Sequence, residues 1–460
     1  MASAINELSL GRIVVLSFIF TILTGTLLLM LPISLVSGQE PVSWIDALFT
    51  SASAVCVTGL TVRDTGTTFS LFGQGVILGL IQVGGLGFLT LSTFFITHFQ
   101  LRKNGISLQH RQLLEISHGS VDAIHPRQLL KAILLFTFLV ELLGIGLLFL
   151  RFSEIMPVPE AIWFALFHAI SAFCNAGFGL YADSLMTFRG DLLVNGTVMG
   201  LIILGGLGFL VVADVWKRLR ATARRQRGVL SLHSRLVLRT TLFLILVGML
   251  PFILLEWNGS AMGEKSGAVL LESLFLSVTS RTAGFNTVDT ALLTGPTLFL
   301  VILLMAIGGS PGSTAGGMKT TTAAVCYALL HSKARNRPRV ECLERTVPEE
   351  TVNKAMLVVT GYVLSIVIGV FLLQVTEAGK LPFGKTESNL FLGQLFEVVS
   401  ALGTVGLSTG VTTTLSTSGK VVISLLMFIG RIGPLLAASA VIGKTSKINY
   451  TFTEENVNIG

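Results

Sequence analysis

Four short segments of this chain carry one pattern at equivalent places in four successive stretches: Val57-Thr58-Gly59-Leu60, Asn175-Ala176-Gly177-Phe178, Thr282-Ala283-Gly284-Phe285 and Thr404-Val405-Gly406-Leu407. Each ends an apolar run too short to cross a bilayer. Aligned without gaps, Leu48-Phe49, Leu166-Phe167 and Leu395-Phe396 correspond upstream, as do Ser53-Ala54, Ser171-Ala172 and Ser400-Ala401. The third stretch departs there, with Ser273-Leu274 and Val278-Thr279. A second motif follows each first one: Gly84-Gly85-Leu86-Gly87-Phe88, Gly205-Gly206-Leu207-Gly208-Phe209, Gly308-Gly309-Ser310-Pro311-Gly312 and Gly430-Arg431-Ile432-Gly433-Pro434. The glycine-to-glycine offsets are 25, 28, 24 and 24 residues, a regularity that marks an internal repeat.

Each repeat reads as a spanning helix, a half-helix, a glycine-containing turn and a second spanning helix. The divisions fall at 1–105, 106–228, 229–345 and 346–445, with a tail at 446–460. Two full crossings per unit give every unit the same orientation, so the units are parallel and can surround a central axis; inverted repeats need an odd number of crossings. The expected fold is an all-α integral membrane protein, with eight spanning helices and four half-helices around a pseudo-fourfold central pore.

Composition agrees. Only 12% of residues are charged, about half the share in soluble domains, and charge-free stretches cover Ile13–Gln39, Thr65–Leu101, Leu192–Ala213, Ala291–Met318 and Ala355–Thr376. Ile13–Leu31 is too long for the core of a cleaved leader and reads as the first span. The net charge of +7 lies on one side: connections 102–131, 217–239 and 333–354 hold 5, 8 and 6 Lys/Arg, whereas 35–72, 178–195 and 286–296 hold 1, 1 and 0. That asymmetry places the basic loops and both termini in the cytoplasm and removes the case for nucleic-acid binding. Lys217, Arg218, Arg220, Arg224, Arg225 and Arg227 suit a cytoplasmic partner or anionic lipid. Cys56, Cys174, Cys326 and Cys342 lack disulfide or metal-site spacing and read as packing residues. His168 and Glu141 are too isolated in the sequence for a membrane-embedded enzyme, and Glu141 reads as a hydrogen-bonded structural carboxyl.

Irregular backbone inside a membrane survives only beside protein or a water-filled cavity. Four such turns at equivalent places imply one polar axis, where half-helix C-termini favour a cation. There, backbone carbonyls of Val57, Thr58, Gly59, Asn175, Ala176, Gly177, Thr282, Ala283, Gly284, Thr404, Val405 and Gly406 can replace the hydration shell of a potassium ion. A sodium-selective or unselective monovalent cation pathway is the alternative. The run Gly308, Gly309, Ser310, Pro311, Gly312, Ser313, Thr314, Ala315, Gly316 and Gly317 opposes a continuous helix and predicts an unwound intramembrane gate. Met318 before Lys319, and spanning helices on both sides, exclude a phosphate-binding loop. Arg431, level with Gly85, Gly206 and Gly309, must face a cavity or partner. On the axis it would donate to carbonyls of the 308–317 loop, with Lys319 lining the same cavity. Arg281 is expected to reach a carboxylate such as Glu272 or Glu397.

The four glycine segments, the 308–317 break and Gly430-Arg431-Ile432-Gly433-Pro434-Leu435 resemble the potassium transporter superfamily of TrkH, KtrB and plant HKT proteins, over the chain from about Ile13 onward. One span before the first glycine segment makes the resemblance greatest to KtrB. The resemblance implies sodium-stimulated potassium uptake in a bacterial inner membrane, with no covalently bound cofactor. It also implies a homodimer with one pore per protomer and a cytosolic KtrA-type ring carrying ATP, ADP or cyclic di-AMP. By it, Gly59, Gly177, Gly284 and Gly406 line a selectivity filter, 308–317 with Arg431 forms the gate, and Asn449–Gly460 reaches toward the dimer partner.

Overall fold

In this computed structural model, residues 10–100, 126–225, 229–256, 268–377 and 389–433 are described. The tail 446–460, Pro434, Leu435, Arg227 and the divisions at 105 and 228 lie outside them. The chain is built of helices: α1 (Leu10–Leu29), α2 (Trp44–Cys56), α3 (Leu71–Gln100), α4 (Pro126–Phe152), α5 (Val158–Cys174), α6 (Leu192–Leu207) and α7 (Phe209–Ala223). There follow α8 (Leu232–Leu255), α9 (Ala268–Thr279), α10 (Gly295–Ala306), α11 (Thr320–Ala334), α12 (Glu349–Thr376), α13 (Asn389–Gly403) and α14 (Thr417–Ile432). A two-residue hairpin, Glu341–Cys342 with Arg345–Thr346, is the paired strand structure among the described residues.

α4, α8 and α12 contain runs long and apolar enough to cross a membrane unaided, while α6 and α7 qualify only as a pair bent by 99°. Of the remaining sequence-predicted spans, α1 is continuous, whereas the second helices are interrupted or ended at glycines with left-handed backbone. Gly87 (φ 68°) kinks α3, Gly208 (φ 87°) separates α6 from α7, and Gly433 (φ 93°) ends α14. Residues 307–319 part α10 from α11, with Gly312 at φ 71°. The irregularity foreseen for one second helix thus has counterparts in the other three.

The helices pack in groups that follow the chain. Long α1, α4, α8 and α12 lie against short α2, α5, α9 and α13 respectively. Contacts between groups run α3 to α5, α6 to α9, α10 to α13 and α14 to α2, so the chain's last described helix returns to its first short one. Outward faces carry Phe20, Leu135, Phe138, Leu242, Phe243, Val367 and Phe371, all exposed, as helices in lipid require. Inward, Phe49, Phe167, Phe275 and Phe396 on the four short helices are fully buried.

Glycine permits the tightest of these contacts. A Cβ on Gly84 would lie 2.0 Å from the Val55 carbonyl, on Gly205 1.9 Å from that of Phe173, and on Gly430 2.0 Å from that of Leu402. Each pair brings a following helix against the last turn of a short one, with no room for a methyl. Gly205→Ala is therefore expected to lower stability in detergent by about 1–3 kcal/mol, the usual cost of overpacking against unyielding atoms. Gly200→Ala on the same helix, where a Cβ meets nothing within 4 Å, should leave the thermal midpoint unchanged or slightly higher. Thermal melts of the two purified variants make the comparison.

Candidate functional site

The four short helices end in turns of one geometry. Two residues before each motif glycine, Val57, Asn175, Thr282 and Thr404 hold φ of 57°, 60°, 74° and 50°; the glycines Gly59, Gly177, Gly284 and Gly406 hold 96°, 69°, 79° and 93°. Left-handed backbone is costly for β-branched residues, and three of the four leading residues are Val or Thr. Strain of that kind persists only where surroundings impose it. Here the helix ends impose it: Thr58 N–H donates to Ser53 O, Ala176 N–H to Ser171 O and Val405 N–H to Ser400 O, each at 2.8 Å, and Ala283 N–H to Thr279 O at 3.0 Å.

The last bond corrects the ungapped alignment. The third turn is one residue shorter, so Thr279, not Val278, stands where Ser53, Ser171 and Ser400 stand. Thr279 Oγ1 donates to Phe285 O as Ser171 Oγ does to Phe178 O and Ser400 Oγ to Leu407 O, all at 2.7 Å. With that shift Leu274-Phe275 takes the place of Leu48-Phe49, and Thr279-Ser280 stands where the other stretches have Ser-Ala.

The turns meet at one centre. A Cβ on Gly59 would fall 2.5 Å from Ala176 O, on Gly177 2.9 Å from Ala283 O, on Gly284 2.5 Å from Val405 O, and on Gly406 2.1 Å from Thr58 O. The approaches therefore run from each turn to the next and close on the first. The Oγ1 atoms of Thr58, Thr282 and Thr404, all buried, find no hydrogen-bond partner among the described residues.

The 308–317 segment lies against these turns. A Cβ on Gly316 would be 2.1 Å from Thr404 Oγ1, and one on Gly308 3.1 Å from Thr282 Cγ2. The loop hangs on the backbone of α6 and α7: Ser310 N–H donates to Gly206 O (3.0 Å), Thr314 N–H to Gly205 O (3.2 Å), and Phe209 N–H to Gly312 O (3.1 Å). Thr314 Oγ1 reaches Phe173 O at 3.1 Å, and Ser313 Oγ closes onto Ser310 O at 2.6 Å. Gly308 N–H donates to Met318 O at 2.8 Å, Thr320 N–H donates to Gly309 O at 3.0 Å, and Lys319 Nζ folds back onto Ala315 O at 2.6 Å. Arg431, from the last turn of α14, donates to both Thr314 O and Gly84 O, joining the loop to α3.

Two further sets of residues hold the turns. Nine positions before Gly406, fully buried Glu397 accepts from Ser408 Oγ (2.6 Å), Thr409 N–H (3.0 Å) and Thr412 Oγ1. Nine before Gly177, His168 accepts from Leu180 N–H at 3.3 Å, while its Nδ1 meets Phe164 O at 2.8 Å, which fixes the neutral tautomer protonated at Nδ1. Thr409 and Leu180 both stand three residues after their glycines, so the two side chains do one job with different chemistry. At the start of α2 and α9, in equivalent register once the shortening is allowed for, Asp46 pairs with Lys420 (2.7 Å) and Arg63 (3.4 Å), and Glu272 with Arg189 (2.8 Å). Arg281 therefore meets neither expected carboxylate: Glu272 is taken by Arg189 and Glu397 by hydroxyls and an amide, and buried Arg281 Nε has no partner among the described residues. Glu141 accepts from Gln82 Nε2 at 3.1 and 3.2 Å, as a structural carboxyl should.

Apolar helices arranged around strained backbone turns define a multi-pass membrane protein. Residues 12–445 match the family model TrkH, described as cation transport protein, and the chain belongs to that family of ion transporters. It is a KtrB-type member. It is 41% identical to Ktr system potassium uptake protein B of Vibrio alginolyticus, over 93% of this chain and 90% of that one. It is 38% identical to the Bacillus subtilis protein of the same name, over 98% and 96%. The crystal structure of the potassium transporter TrkH from Vibrio parahaemolyticus shares the fold, with a TM-score of 0.65 at 18% identity over 92% of this chain and 84% of that one.

Removing the Glu397 carboxylate leaves an amide and two hydroxyls without their acceptor. Glu397→Ala is expected to destabilise the protein by about 1–3 kcal/mol for each donor left unpaired in the interior. The Thr409 amide should also exchange its hydrogen faster, whereas the Leu180 amide should not. Hydrogen exchange with mass spectrometry reads both.

Proposed function

We propose that the chain is the ion-conducting subunit of a Ktr-type potassium uptake system in a bacterial cell membrane. The carrying observation is the closed sequence of approaches among Gly59, Gly177, Gly284 and Gly406, each so near the next turn that a Cβ on it would fall within 3.2 Å of the next glycine's Cα. Turns so close, with left-handed backbone at eight positions, can aim main-chain carbonyls at one axis. The C-terminal ends of α2, α5, α9 and α13 add their negative dipole ends. Carbonyl rings of this kind replace the water around a potassium ion, and the unpaired hydroxyls of Thr58, Thr282 and Thr404 are further oxygen ligands. The relatives' names supply the ion: both are potassium uptake proteins.

In this reading, residues 1–105, 106–228, 229–345 and 346–445 are four parallel units, each a long helix, a short helix with its turn, and a broken second helix. The 308–317 loop, lying against Thr282 and Thr404, blocks the path, and Arg431 locks it by holding Thr314 O. Lys319 steadies the loop from within, through Ala315 O. The relatives' names also speak of a system, and we infer a homodimer served by a cytosolic KtrA-type nucleotide-binding ring, with sodium as a stimulating ion.

The test is rubidium uptake by potassium-starved cells lacking their own uptake systems, with sodium as competitor. Uptake that resists sodium supports the assignment; equal competition by sodium would favour the unselective pathway, and no uptake would end the proposal. Gly406→Ser places a side chain against Thr58 O and is expected to cut potassium-over-sodium preference about tenfold, equivalent to ~1.4 kcal/mol between the two ions. Deleting 312–317, or Arg431→Gln, should raise flux; unchanged flux in both removes the gate from the account.

A further inference from the structure

α7 does not continue α6 but turns from it by 99° at Gly208. It joins one apolar helix, α6, to the start of another, α8, a span in its own right. A helix set at this angle between two apolar helices suits the membrane boundary, and its cations suit the side of the basic connections. It lies against α8, its Val211 is buried, and Asp214 pins it by accepting from Ser231 N–H at 2.9 Å and Ser231 Oγ at 2.8 Å. Its outer side is apolar and basic together. Trp216 and Leu219 are 55% and 58% exposed, at helical spacing with Val212 and Val215. Lys217, Arg218, Arg220, Arg224 and Arg225 are exposed around them, with the Arg220 guanidinium 4.9 Å over the Trp216 ring.

We propose that α7 is an interfacial helix that binds anionic phospholipid headgroups and passes their presence to the 308–317 loop. Tryptophan and leucine beside clustered cations, on a helix lying across the membrane boundary, suit the headgroup layer. Anionic lipid is favoured over an acidic protein because the apolar side chains are exposed next to the cations, where acyl chains and phosphates meet. The link to the loop is short: Phe209 N–H, the first amide of α7, donates to Gly312 O, and Gly208 allows no Cβ against Pro311 O, 2.6 Å from where it would stand. A shift of α7 toward headgroups therefore acts on the loop at its Pro311-Gly312 corner. This link rests on the gate reading; the lipid site does not.

The test uses purified full-length protein in vesicles of phosphatidylcholine alone or with phosphatidylglycerol. Tryptophan quenching by brominated phosphatidylglycerol is compared with quenching by brominated phosphatidylcholine, with Trp216→Phe giving the background. Wild type should show preferential Trp216 quenching by the anionic lipid. A variant with Lys217, Arg218, Arg220 and Arg224 all changed to Gln should need at least about fivefold more phosphatidylglycerol for the same quenching, the effect of one basic side chain at an anionic surface. Changing the three arginines to Lys should preserve the preference, and added inorganic phosphate should not mimic the lipid. Rubidium flux should differ at least about threefold between the two vesicles for wild type, and by less for the glutamine variant, as a fractional loss of that surface attraction requires. Equal quenching by the two lipids overturns the site. Preferential quenching with equal flux overturns the link. A wild type that passes no rubidium in either vesicle counts against the transport reading, while quenching still decides the site.

Discussion

A carbonyl or amide left unpaired in hydrocarbon costs several kcal/mol, and among the described residues four turns and the 307–319 loop interrupt the apolar helices. Everything else in the architecture answers that constraint. α1, α4, α8 and α12 stand outside α2, α5, α9 and α13, so lipid does not reach the turns that end the short helices. The turns then meet each other, the loop and the helices that brace them. Three β-branched residues in left-handed conformation show that the geometry is imposed, since a chain free to relax would abandon it at a gain of about 1–3 kcal/mol for each.

The ring so formed is fourfold in its backbone and twofold in its supports. The second and fourth turns are held from behind by buried acceptors within the same group, His168 and Glu397. The first and third are held at the outer end of their short helices by Asp46 and Glu272, paired with Lys420 and Arg189 from neighbouring groups. A neutral imidazole and a carboxylate perform one task because both can accept an N–H; an ion pair between groups performs the other because it joins separate helices. Opposite turns thus share a mode of support, and adjacent turns differ.

The glycine pattern was legible because close backbone approach admits one residue type and recurs at nearly fixed distance. What was not legible has physical reasons. A one-residue deletion ahead of Thr282 hid the equivalence of Leu274-Phe275 with Leu48-Phe49, because only the bond from Ala283 N–H to Thr279 O reveals which residue caps the helix. Breaks at Gly87, Gly208 and Gly433 were read through as helix, since a single glycine costs a helix only about 1 kcal/mol and tertiary contact decides. The sequence offers Arg281 a carboxylate such as Glu272 or Glu397, yet Arg189, 83 residues from Glu272, takes the first, and Ser408, Thr409 and Thr412 take the second. The bracing roles of His168 and Glu397 were invisible because each looks like an isolated polar residue in an apolar helix.

The 308–317 loop owes its place to hydrogen bonds and not to packed side chains. Ala315 is its one buried apolar residue, and its anchors are carbonyls of Gly205, Gly206 and Phe173 together with the amide of Phe209. Three of those anchors exist because α6 and α7 are themselves broken at Gly208, which frees groups that a continuous helix would consume. A segment held this way can exchange partners without opening the aromatic and aliphatic core around it. Arg431 adds a side-chain tie to a further helix, from Thr314 O to Gly84 O of α3. A charge held in the membrane interior costs about 2.5–3.5 kcal/mol on insertion scales, and two carbonyl acceptors offset that cost while the loop stays where it is. The loop and the arginine therefore stabilise one another, and movement of either leaves the other with unmet polar groups.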